Sequence, residues 1–175
     1  MLKRSDIKVV PPFYNTYINQ VDDLNLMDVF QLNTPLAPDN WINKASQLGD
    51  AVYAPNKWTV KQIFQHIIDA ERVFAYRALR IARNDNIALP GFDENHYVTN
   101  ANVEQKTIQD LVLEFNTVRL ATMLQYLHLG ETELRRVGNC SNVDISVLAL
   151  GFTMVGHQIH HLKVIEERYF PLLNH

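Results

Sequence analysis

The residues of this chain best suited to chemistry are three histidines. His157 and His161 stand four apart in the string Gly156-His157-Gln158-Ile159-His160-His161, and His66 lies far upstream. On a helix, an H-x-x-x-H pair sets two imidazoles about 40° apart and roughly 6 Å along the axis, so both can reach one ion. A third imidazole from a neighbouring helix would complete the three-ligand set typical of catalytic zinc or a similar divalent ion, with water in the fourth position. Such an ion draws the pKa of a bound water or thiol toward neutrality and polarises a substrate oxygen, which serves hydrolysis and S-transfer alike. Gln158 occupies the place where H-E-x-x-H proteases carry their glutamate base, so peptidase chemistry of that kind is not expected. Spacing alone leaves a second reading open, in which the three are core-edge histidines satisfied by hydrogen bonds.

Helices must position these side chains. Apolar residues recur at helical spacing over 12–32, 59–83, 106–128 and 144–170, with Pro, Gly and Asn clustered between. Thr59 with Gln62 forms a capping-box pattern, Thr107 and Asp110 open the third stretch, and Asp144 is the expected N-cap of the fourth. Gly130 is expected to close the third helix in a left-handed conformation. On helical wheels His66 falls at the edge of the arc made by Ile63, Phe64, Ile67, Phe74, Ala78 and Ile81, with Ala70 and Arg77 nearby. His157 and His161 fall at the matching edge of the last helix, whereas His160 points toward Lys163 and Glu167 and is left out of the site. No stretch alternates strictly, so a sheet is not expected. The expectation is an all-α four-helix bundle in which 33–57 and 84–105 are long crossover connections able to rim a pocket.

The 175 residues, 47% hydrophobic, suit a single domain spanning 1–175. A net charge of −3 disfavours nucleic acid and anionic lipid as partners. The start, Met1 to Pro12, lacks the apolar run of a secretory signal, and the weakly polar run from Val147 to Gly156 is too short to span a bilayer. A cytoplasmic protein is expected. With Cys140 as the only cysteine, neither an intramolecular disulfide nor a thiolate cluster can form, which leaves nitrogen and oxygen as metal ligands.

Two stretches carry a family resemblance. WTVKQIFQHIIDAERVFAYRALRIAR at 58–83 and GHQIHHLKVIEERY at 156–169 resemble the two signatures of the DinB-like superfamily, whose YfiT-type members are regarded as metal-dependent hydrolases. LPGFDENHYV at 89–98 and FNTVRLATMLQYL at 115–127 resemble family segments in the same order. The resemblance implies a four-helix bundle with a metal ion on His66, His157 and His161, frequent homodimerisation and a cytoplasmic setting. It also implies either hydrolysis or S-transfer with a low-molecular-weight thiol, acting on a small molecule. Zinc, nickel and iron all suit three imidazoles.

Other residues are weighed against this site. Asp69 reads as a helix surface charge that could otherwise orient His66. Asp93, Glu94 and His96 could line the pocket, supply a fourth ligand or act as base, or simply be loop chemistry. Glu71 lies within an apolar arc and demands a buried cation, Arg119 or Arg168. Trp58 and Tyr169 read as packing anchors, and Cys140 as an inert loop thiol. The competing function is a metal-stabilised interaction or stress-related protein with no substrate.

Overall fold

In the computed structural model, residues 2–8 and 10–174 are described; Met1, Val9 and His175 lie outside them. The frame is three long helices, α4 (Val60–Ala82), α6 (Ile108–Leu127) and α8 (Val147–Arg168). The capping box of α4 forms as expected, Gln62 N donating to Thr59 Oγ1 at 3.2 Å and Thr59 N to Gln62 Oε1 at 2.8 Å. Thr107 caps α6 in the same way, with Asp110 as its partner.

The fourth member of the bundle is not one helix over 12–32. It is two short ones, α1 (Asn15–Ile18) and α2 (Leu26–Leu32), both packed on α8. Asn19, Asp22, Asp23 and Asn25 fall between them. Such side chains bond nearby backbone and so favour caps over helix interior: Asn25 caps α2 by accepting from Asp28 N, and Asp23 accepts from Ser5 N at 2.7 Å.

The two connections are also structured. The first holds α3 (Asp39–Gln47), which starts behind Pro38 and stacks Trp41 on Phe64 with ring centroids 5.8 Å apart. The second holds α5 (Glu94–Thr99), capped by Asp93, which accepts from His96 N at 3.0 Å. α6 ends at Leu127, and Gly130, at φ −79°, is not its left-handed terminator; it is the N-cap of a short α7 (Glu131–Arg135).

The helical bundle stands as expected, with one addition that the sequence pattern does not announce: a small antiparallel hairpin joins α7 to α8. Its strands are β1 (Val137–Cys140) and β2 (Val143–Ser146), with Cys140 opposite Val143. The turn residues Ser141 and Asn142 sit at φ +55° and +64°, the double left-handed geometry of a tight primed turn. Four-residue strands are too short to display alternation, which is why the sequence pattern does not reveal them. Asp144 therefore lies in β2, where Asn139 Nδ2 donates to it at 2.8 Å, and Ser146 is the true N-cap of α8, accepting from Ala149 N at 3.1 Å.

Two apolar clusters fill the bundle. One joins α4 from Ala70 onward to Tyr126 and the first half of α8; the other joins Ile63 to Ile68 with Phe115, Ile165 and Tyr169. Between them lies a buried polar layer. Arg119 donates to both oxygens of Glu71 at 2.7 Å and to Gln158 Oε1 at 2.9 Å, and Gln158 Nε2 donates to the carbonyls of Asn33 at 3.0 Å and Leu36 at 3.1 Å. Glu71 thus finds Arg119, not Arg168, and every long helix is tied to the connection after α2. The outer side of α6 leaves Leu113, Leu120, Leu124 and Leu127 exposed.

Candidate metal centre

His66 leaves α4 and His157 and His161 leave α8 on faces turned toward each other, these two helices being packed side by side. Their Nε2 atoms converge: His66 to His157 is 3.0 Å and His161 to His157 is 3.1 Å. Tetrahedral zinc with bonds of about 2.0–2.1 Å holds its nitrogen ligands roughly 3.3 Å apart, so the spacing fits one shared ion. Among the described residues no fourth histidine, cysteine or carboxylate joins the group.

Burial tunes these imidazoles. It lowers His66 to about 4 and His161 to about 3, and the buried His157 also falls well below the usual imidazole value. At neutral pH all three are uncharged and able to donate a lone pair without first releasing a proton. Three neutral rings aimed at one point cannot satisfy one another with the few protons they carry; a cation between them would.

The same shifts set a pH dependence. An imidazole of the unfolded chain titrates near about 6.5, so as pH falls below that value the unfolded state takes up protons that the folded state refuses. The contribution to stability is therefore whole above about pH 6.5 and is lost on the way down to the lowered folded values. His66 alone accounts for about 2 kcal/mol between neutrality and pH 5. We expect the urea midpoint of metal-free protein to drop clearly from about pH 7.5 to about pH 5, with a shallower drop in His66→Ala. Equal midpoints at the two pH values would refute the burial argument.

A cleft of about 680 Å³ opens from the histidines, walled by Phe13, Tyr14, Tyr17, Trp58 and Phe74, with Arg77, Phe92 and Glu94 farther along. Its near wall depends on Gly156, a residue that helical pattern reading passes over. A Cβ there would stand 2.1 Å from the Tyr17 carbonyl oxygen, so the glycine lets α1 lie directly on α8. Tyr17 is thereby placed edge-on to His157 and His160, with centroids 5.2 Å and 5.4 Å away.

The other candidates separate. His160 is half-buried against Tyr17 rather than solvent-facing, yet it stays outside the three-nitrogen group. Asp69 accepts from Gln65 Nε2 at 2.9 Å and faces a different depression shared with His96 and Tyr97, so it does not orient His66. Asp93 is spent as the cap of α5, and Glu94 stands exposed on the rim of the main cleft. Tyr169 is the anchor expected, its hydroxyl donating to the Trp58 carbonyl. Trp58 itself is more than an anchor, its ring lying 4.9 Å from His66 on the cleft wall. Cys140 sits in β1, not in a loop, and burial raises its thiol pKa. Gln158 faces the polar layer on the far side of α8, so even a glutamate there would point away from the histidines.

The family model of the DinB superfamily matches residues 24–165, a span that includes all three histidines. The chain belongs to the DinB superfamily. Within solved structures this DinB chain resembles YfiT from Bacillus subtilis, described as a probable metal-dependent hydrolase with an unusual four-helix bundle topology. The TM-score is 0.65 at 16% identity, covering 77% of this chain and 86% of YfiT, which is a likeness of fold. No curated protein matches the chain. No helix of this DinB domain is long and apolar enough, among the described residues, to cross a membrane.

Proposed function

We propose that this chain is a metal-dependent enzyme acting on a small molecule, with a divalent ion held by His66, His157 and His161. The observation that carries the reading is the meeting of three neutral imidazole nitrogens at the end of an open cleft. When bound, the ion supplies Lewis acidity, lowering the pKa of a water or thiol and polarising a substrate oxygen. The protein's own residues do the rest. His66, His157 and His161 would hold the ion, and Tyr17, Trp58 and Phe74, lining the cleft beside them, give an apolar body a surface to lie on.

Hydrolysis is the reading supported by the likeness to YfiT. S-transfer with a low-molecular-weight thiol is favoured by a different observation. Among the described residues Glu94, exposed at the rim, is the only carboxylate lining the cleft; the ion would activate water and thiol alike without a protein base, but hydrolysis must still carry a proton from the water to the leaving group, a transfer that attack by a thiolate does not require. A purely structural ion in an interaction protein would need no such cleft. Zinc, nickel or iron would suit the donors.

The test is metal analysis of protein purified without a histidine tag, followed by cobalt(II) substitution. About one ion per chain is expected. A thiolate-to-cobalt charge-transfer band on adding a low-molecular-weight thiol would select S-transfer, and ester turnover without such a band would select hydrolysis. Protein that retains no stoichiometric divalent metal would sink the reading.

We also propose that the chain pairs as a homodimer through the exposed row of Leu113, Leu120, Leu124 and Leu127 on α6, apolar residues at helical spacing that no described residue covers. Light scattering should give a dimer mass that falls to the monomer in Leu124→Arg; a monomeric wild type would refute it.

A further inference from the structure

The far end of the cleft holds a cation. Arg77, on α4, is 3% exposed, yet it forms no ion pair with any carboxylate among the described residues. Its Nη2 donates to the Pro90 carbonyl at 2.7 Å and to Ser141 Oγ at 3.1 Å, and its guanidinium lies 5.8 Å from the centre of the Phe74 ring. The Tyr14 hydroxyl also lies in reach of the guanidinium, no carboxylate among the described residues pairs with it, and the side chain lines the cleft. The contrast with Arg119 is direct: that buried guanidinium carries a bidentate glutamate. A buried guanidinium without a counter-charge is costly, and its planar fork matches an oxyanion better than any other group.

His66 and Arg77 stand eleven residues apart on one helix, about 16 Å along the axis and only about 20° around it. Both therefore face the same cleft from opposite ends, and the aromatic side chains of Tyr14, Tyr17 and Phe74 lie between them. We infer that the cleft takes an elongated monoanionic small molecule, with a carboxylate on Arg77, an apolar or aromatic body along the wall and its reacting group at the three histidines. A single guanidinium, with the Glu94 carboxylate lining the same cleft, suits one negative charge rather than the two of a phosphate monoester. Only the placement of the reacting group rests on the metal-enzyme reading; anion capture by Arg77 stands without it.

The test is calorimetric titration of 4-phenylbutyrate, its uncharged amide and phenyl phosphate into wild-type protein, both metal-loaded and metal-free. The acid should bind at least about tenfold tighter than the amide in both forms, the gain expected of a charge-assisted pair, and tighter than the phosphate. Arg77→Gln should erase the preference for the acid and leave the amide unchanged, and Arg77→Lys should keep part of it. Lost folding alone would not separate acid from amide, and the wild-type comparison with Arg77→Lys decides the matter if Arg77→Gln does not fold. Equal binding of acid and amide by wild type, no saturable acid binding, a preference for phosphate, or a preference surviving in Arg77→Gln would each overturn the inference. A preference for the acid in protein that, as purified without a histidine tag, retains no stoichiometric divalent metal would remove the metal reading alone. One ion per chain with no such preference would remove the anion site alone.

Discussion

His157→Ala is expected to weaken divalent-metal affinity by at least about two orders of magnitude, while His160→Ala leaves it within a few-fold of wild type. His157 is the middle ring of the three: both short Nε2 contacts, 3.0 Å to His66 and 3.1 Å to His161, pass through it, so its removal leaves two nitrogens and no third direction of approach. Loss of a mere supporting partner of a ligand costs 10–100-fold in typical metal sites, and loss of the ligand itself should cost more. His160 is the matched control, being adjacent in sequence, on the same helix and in contact with the same Tyr17 ring, but outside the group. Competition titration against a chromophoric chelator measures both. Comparable affinity in wild type and His157→Ala would show that the ion, if bound, sits elsewhere.

Arg119→Ala should cost about 3–5 kcal/mol of folding stability, because Glu71 would be left as a buried charge with its partner gone. Glu71 is 2% exposed and Arg119 fully buried, so water cannot step in as it does for surface pairs such as Lys163 with Glu167. The loss reaches beyond the pair. Gln158 would lose its donor from Arg119, although its own bonds to Asn33 and Leu36 keep the connection after α2 partly in place. Replacing both charges, as in Glu71→Leu with Arg119→Met, should recover much of the stability, since two apolar side chains of similar length avoid desolvation altogether. Urea unfolding of the single and double variants settles the point; a single-variant cost under about 1 kcal/mol would show that the layer is not the polar clamp described.

The elements that local sequence determines were legible. Thr59 with Gln62 and Thr107 with Asp110 mark two helix starts because a cap is an interaction three residues long, and its partners are neighbours in the chain. The three histidines were legible for a related reason. Helical periodicity fixes which face each one occupies, and matching faces of helices that pack together meet. The need of Glu71 for an arginine followed from the cost of an unpaired buried carboxylate, although two candidates fitted until α6 was seen beside α4.

What the tertiary structure decided were the contacts with no local signal. The helix expected over 12–32 is broken by Asn and Asp side chains that find better partners in caps and in the backbone of Ser5 than in a helix interior. The hairpin at 137–146 escapes notice because its strands are too short to show a period and its turn uses Ser141 and Asn142 without a glycine. Gly156 matters only because α1 lies on it, and Asp69 is excluded only because Gln65 and the neighbouring depression claim it. Gln158 and Arg77 show the same division most plainly. Their positions on helices could be read from the string, but one is satisfied by the core and the other forms no ion pair among the described residues, and that difference depends on residues brought together from distant parts of the chain. Periodicity and capping are properties of a few consecutive residues, so sequence alone determined the helices and the face each histidine takes. The pairing of charges, the closeness of backbones and the walls of the cleft are properties of packing, and only the folded chain could determine them.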